Sequence, residues 1–286
     1  MAKRALEIYR KVLGEEHPYT ATSFSSLGVL YHTKGDYERA EPLFLKALEI
    51  NRKVLGEEHP DTASSFYSLA SLYQAKGDYE RAEPLYLKAL EIRRKVLGEE
   101  HPDTATSFSI LGFLYQAKGD YERAEPLYLK DLEIRRKVLG EEHPDTAASF
   151  NNLGLLYQAK GDYERAEPLF LKALEICRKV LGEEHPQTAA SFNNLAGLYE
   201  DKGDYERAEP LYLKALEICR KVLGEEHPDT ATSFNNLALL YQAKGDYERA
   251  EPLYLKALEI YRKVLGEEHP STAISFDNLA GLYRSE

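Results

Sequence analysis

One 42-residue block is written nearly seven times along this chain, and that period constrains the fold more than any other feature. His-Pro recurs at His17, His59, His101, His143, His185, His227 and His269, always 42 residues apart. Gly-Asp-Tyr recurs at the same interval from Gly35 to Gly245. A unit of this length buries its apolar surface only against its neighbours, which is the logic of a solenoid. The 286 residues are therefore read as one elongated array rather than two globular domains. Residues 1–16 are expected to be a partial unit, 17–268 six complete units, and 269–286 a second partial unit.

Each copy reads as two helices. In the second copy, Pro60 suits a first helical position, where its missing N–H would have had no partner. Phe66, Leu69 and Tyr73 then fall on one face of helix A, which Lys76-Gly77 ends. Asp78 is placed to cap helix B. Tyr79, Ala82, Tyr86 and Ala89 form one apolar stripe of that helix, and Leu85, Ile92 and Val96 form another, so two-sided covering is expected. Pro84 offends inside a helix, because it removes the bond to Glu80 and crowds that carbonyl. Either helix B tolerates a mild kink there or it begins at Pro84, which would strand the capping Asp78.

Composition excludes several classes. A net charge of −11 argues against general binding to nucleic acid, which needs a basic face. No apolar run of membrane-spanning length and no secretory leader pattern is present, so a cytoplasmic, non-membrane protein is expected. Cys177 and Cys219 stand in one column of adjacent copies. Stacked helices put equivalent atoms about 8–10 Å apart, whereas a disulfide needs Cα atoms within about 7 Å. Both are read as free thiols.

Leu69-Ala70-x-x-Tyr73, Gly77-x-Tyr79, Ala82, Tyr86 and Ala89-Leu90 together resemble the tetratricopeptide repeat. The eight-residue extension, and the phrases NNLALLY, AEPLYLKALEI and LGEEHPDTA, resemble the kinesin-light-chain type. The resemblance spans essentially the whole chain. It implies an all-α fold, a right-handed α-solenoid of antiparallel helix pairs, in which helix A lines a concave groove. The function it implies is a non-catalytic scaffold presenting that groove to a peptide or protein partner, although fold alone does not carry function.

Comparing the copies within the chain sharpens this expectation. Helix A varies in few columns, which in the second copy are Ser64, Tyr67, Ser68, Ser71 and Gln74. That spacing is one stripe, away from the packing stripe. Early copies offer Val29, Tyr67, Ile110 and Phe113, apolar anchors of the kind that supply binding energy. Later copies offer Asn151-Asn152, Asn193-Asn194 and Asn235-Asn236, amides able to grip a peptide backbone. By resemblance, the second of each pair (Asn152, Asn194, Asn236) holds the peptide. Drift at unconstrained positions would leave the same pattern. Kinesin light chains take acidic peptides through basic groove residues, yet Arg284 is the only base in these columns, so a neutral or mixed peptide is expected.

Chemistry finds no foothold, and neither enzyme activity, nor a metal, nor a cofactor is expected. Each copy holds a single loop histidine, while metal bonds of about 2 Å need ligands converging on one point. His32, outside the loop column, is read as a groove contact or solvated. No nucleophile–base arrangement and no glycine-rich phosphate loop stands out. Asp131 replaces an alanine found in every other complete copy and is read as a tolerated defect rather than a deliberate polar contact.

Two other functions stay open. The array starts inside a helix B and stops after a helix A, so Leu6, Ile8 and Val12 could dock head-to-tail on Phe276, Leu279, Leu282 and Tyr283 of another copy. The chain could also be a regulatory segment of a larger protein.

Overall fold

The computed structural model describes residues 2–285. Met1 and Glu286, which belong to the two expected partial units, lie outside the described residues. Among the described residues there are fourteen α-helices and no strand. The A helices are α2 (Pro18–His32), α4 (Pro60–Ala75), α6 (Pro102–Ala117), α8 (Pro144–Ala159), α10 (Pro186–Asp201), α12 (Pro228–Ala243) and α14 (Pro270–Ser285). The B helices are α1 (Ala2–Leu13), α3 (Tyr37–Val54), α5 (Tyr79–Leu97), α7 (Tyr121–Leu139), α9 (Tyr163–Val180), α11 (Tyr205–Val222) and α13 (Tyr247–Val264). The fold class is an all-α solenoid of antiparallel pairs in 42-residue units. The chain divides into two compact units, the first running to Val138 and the second starting at Leu139.

Local chemistry sets the helix ends. His59 takes the N-cap of α4, and its Nδ1 accepts the backbone N–H of Asp61 at 3.1 Å, with Pro60 following as the first helical residue. Gly77 then turns the chain with φ of +74°, a left-handed conformation that side chains resist. Asp78 caps α5 by accepting the N–H of Arg81 at 3.1 Å, and Pro84 lies inside the helix. The capping aspartate therefore decides the start, not the proline.

In the first unit, Phe66, Leu69 and Tyr73 are buried as their spacing foretells, along with Ala82, Tyr86, Ala89 and Ile92 of α5. Val96 departs from the expected second stripe and is 46 % exposed, as its equivalents are in the other copies. It falls in the last turn beside Arg94 and Lys95. In the second unit, Phe170, Ile176, Leu198, Ile218, Leu240 and Tyr254 are almost wholly buried.

Asp131 is not an unpaired defect. It is buried, but Arg135 one turn on donates Nε to its carboxylate at 2.7 Å and Nη2 to Thr106 Oγ1 at 3.1 Å. A buried carboxylate with a hydrogen-bonded guanidinium is a compensated charge. Cys177 and Cys219 are free and buried, as read.

Candidate functional site: the A-helix face

Within each compact unit, A helices of successive copies touch directly: α2 meets α4 in the first, and α8, α10, α12 and α14 meet in sequence in the second. The stripe between the packed residues is left open. Val29 and Phe113 project from it, 47 % and 58 % exposed. Ile110 is half-buried. Tyr67 is also half-buried, its ring 5.7 Å from Tyr86 and 5.7 Å from the Arg93 guanidinium. Leu155 and Leu239 belong to the column of Val29 and Phe113 and are 38 % and 37 % exposed. Comparing that column through all copies, rather than the early ones alone, identifies them.

The paired asparagines divide their work. Asn151 Nδ2 donates to Ser191 Oγ of the next copy at 3.3 Å, and Asn193 Nδ2 donates to Ser233 Oγ at 3.4 Å. Asn235 Oδ1 accepts from Asn278 Nδ2 at 2.8 Å. The first asparagine of each pair thus ties one copy to the next. Asn152, Asn194 and Asn236 are half-buried, and the amides of Asn194 and Asn236 bond no other side chain among the described residues. Two cavities open between A helices of the second unit. One of about 230 Å³ lies between α8 and α10 and is lined by Asn151, Asn152, Leu155, Cys177 and Asn194. The other, of about 140 Å³, lies between α10 and α12 against Asn193, Cys219 and Leu223.

Below these residues lies a row from the B helices. Tyr86, Tyr128 and Tyr254 donate their hydroxyls to Gln74, Gln116 and Gln242 at 2.7, 3.0 and 2.7 Å. Tyr212 instead meets Glu200 at 2.7 Å, and burial raises that carboxyl above its usual range. Phe44 and Phe170 offer no hydroxyl, and His32 Nε2 and Gln158 Oε1 are left without a partner. Burial lowers His32 below the usual imidazole range, so a neutral ring packs against Tyr37 and Phe44.

One more position escaped the sequence reading. Residues 51, 93, 135, 177, 219 and 261 are Asn, Arg, Arg, Cys, Cys and Tyr within otherwise almost invariant B helices. Asn51 Nδ2 and Arg93 Nη1 bond the serine of the next A helix, Ser65 at 2.9 Å and Ser107 at 2.8 Å. Cys177 and Cys219 meet Ser191 and Ser233 at 3.6 and 3.5 Å. Tyr261 turns the other way and shares a 2.7 Å hydrogen bond with Thr232.

Of the residues expected to mediate self-association, Leu6 and Leu282 are buried in the chain's own packing and Leu279 is half-buried. Ile8, Val12, Phe276 and Tyr283 are exposed. Among the described residues no cluster of three or more His, Cys, Asp or Glu could hold a metal, and no helix is long and apolar enough to cross a membrane.

The tetratricopeptide repeat family matches at residues 1–53, 29–95, 61–130, 108–170, 145–214, 191–263 and 234–286. No curated protein matches the chain significantly. Among solved structures the chain is similar to BtubC (BKLC) from P. vanneervenii, with 31% identity over 82% of this chain and 94% of that one, and a TM-score of 0.64. It is also similar to a protein from Podosopora anserina described as a kinesin light chain with nearly identical TPR-like repeats. There the identity is 33% over 72% of this chain and 97% of that one, and the TM-score is 0.60. Proteins of this fold serve generically as scaffolds for protein–protein interaction, without catalytic motifs. With the match running from end to end of the array, the chain belongs to the tetratricopeptide repeat family, in its kinesin-light-chain-like form.

Proposed function

We propose that the A-helix face is a receptor for an extended peptide segment of a protein partner. The observation that carries this reading is where the copies differ. Helix A changes on the stripe that packing leaves open, and in the second unit that stripe carries Asn194, whose amide bonds no other side chain among the described residues, at the cavity between α8 and α10. Amides supply both donors and acceptors to a main chain. In the second unit Leu155 and Leu239 supply apolar anchors on this face, and in the first unit Val29 and Phe113 do. The acidic balance of the chain and the near absence of bases in these columns favour a neutral or mixed peptide over an acidic one.

Peptide display against the chain and an Asn152→Ala/Asn194→Ala/Asn236→Ala variant tests the reading. The chain has no Trp, so Trp-containing hits are titrated by their own emission without background. A shared motif bound by the parent and at least about tenfold more weakly by the variant is expected, since two lost hydrogen bonds are worth roughly 1.4 kcal/mol or more. Equal enrichment on both would sink it. No enrichment, with a mass that grows with concentration, would favour head-to-tail assembly instead.

A further inference from the structure

We infer that the helix-B position occupied by Cys177 and Cys219 selects what the second unit accepts: two small aliphatic side chains, three residues apart on an extended peptide. The inference rests on the peptide-receptor reading and names the chemistry of the partner.

Each of the two cavities has a cysteine as its floor and an asparagine of the first column in its wall. Burial raises both thiols above their usual range, so each floor is a neutral, weakly polar surface. A cavity of about 150 Å³ lined by aliphatic groups holds a benzene-sized ligand. Openings of about 230 and 140 Å³ therefore suit side chains of valine or leucine size. Beside each cavity, the buried Oδ1 of Asn151 or Asn193 has no hydrogen-bond partner. Leaving a buried acceptor without its bond is unfavourable, so a donor that reaches it is favoured. The Asn χ2 torsion is soft, and a modest rotation offers the oxygen to a peptide N–H.

Spacing fixes the motif. Packed helices stand about 8–10 Å apart, and the cavities repeat with the A helices. A polyproline-II strand rises about 3.1 Å per residue with three residues per turn, so residues i and i+3 share a face at about 9 Å. Its backbone groups have no internal partners, which leaves its N–H groups free for the asparagines.

The first unit carries its own comparison. There the equivalent space holds Tyr67 and Arg93, with the guanidinium 5.7 Å from the ring and Nη1 bonded to Asp103 O at 3.3 Å and Ser107 Oγ at 2.8 Å. An arginine at this position is thus compatible with the fold, and the second unit offers the same acceptors in Gln187 O with Ser191 and Asp229 O with Ser233.

The test is a display selection on the full chain, on Cys177→Arg/Cys219→Arg, and on the triple Asn→Ala variant above. A Cys177→Asn/Cys219→Asn variant, patterned on Asn51, stands by if the arginine variant unfolds. We expect parent-selected peptides to carry small aliphatic residues at i and i+3. They should bind the arginine or asparagine variant at least tenfold more weakly, with helicity unchanged. Peptides that need Asn152, Asn194 and Asn236 yet bind the cysteine variants undiminished, or that lack the spaced pair, would overturn this inference and leave the receptor reading standing. No enrichment on the parent would overturn both.

Discussion

Glu200 shows how much one substitution can reveal when the same site is repeated. Its equivalents Gln74, Gln116 and Gln242 accept the same tyrosine hydroxyl without a charge to desolvate. Burial raises the Glu200 carboxyl, outweighing the bond from Tyr212, and the nearby Asp201 adds to the rise. A carboxyl raised in the folded state holds its proton to higher pH there than in the unfolded chain. Stability is consequently lost as pH climbs from the ordinary glutamate value through the raised one. Glu200→Gln is expected to raise the melting temperature at pH 7 by about 2 °C, with the gap closing near pH 4. A scan at both values checks this, and a persistent gap at the acid end would point to packing rather than charge. Asp131 carries the opposite lesson. A carboxylate in a packed column looked like a defect from sequence, because the reading weighed the column and not Arg135, its partner one turn later.

At the scale of the helix, the punctuation was legible and its chemistry only partly so. Proline at the first position, the Asp78 cap and the closing glycines all stand where local rules put them. Each of the seven loop histidines, weighed from sequence only as a metal ligand, is an N-cap whose Nδ1 accepts the N–H two residues on, at 3.1–3.2 Å. Histidine is not among the favoured capping residues, so sequence gave little reason to assign that bond. Replacing His59 by Ala should cost about 0.5–1 kcal/mol, and Asn should restore most of it. Chemical denaturation of the two variants checks this, and equal loss in both would mean the ring packs rather than caps. Helix B departs at one end of its second stripe: Ile92 is buried and Leu85 half-buried, but Val96 in the last turn stays 46 % exposed.

Across the molecule, carboxylates hold copy to copy. Within the first unit, Glu41 accepts from Tyr73 at 3.0 Å and Lys76 at 2.7 Å; within the second, Glu167 accepts from Tyr199 at 2.9 Å, Lys202 at 2.6 Å and Arg207 at 3.0 Å. The hydrogen bond from the lysine holds each carboxyl below its usual range. Burial, and then its own hydrogen bond to Glu167, push Tyr199 up to about 12. The Glu-Glu of each loop is also used. Glu57 bonds Arg52 at 2.6 Å within its copy, and Glu58 pairs with Lys95 of the next. A carboxyl depressed in the folded state contributes stability above the ordinary glutamate value, and that contribution is lost as pH falls through the depressed one. Glu167→Gln should lower stability at pH 7 by roughly 1 kcal/mol, and its melting curve should rejoin that of the parent near pH 3. A deficit unchanged by acid would assign the loss to geometry.

The sequence by itself determined the period, the paired helices, the aspartate caps of the B helices and most of the buried columns, because each follows from spacing and turn chemistry within a few residues. It also marked the open A-helix stripe, where copies are free to differ. Only the tertiary structure decided that Glu41 meets Lys76, 35 residues on. It alone placed Asn151 as a tie to Ser191 and set Cys177 and Cys219 beneath the cavities. Those contacts depend on how far each copy turns and shifts against the one before. That displacement comes from packing across copies, and no local period encodes it.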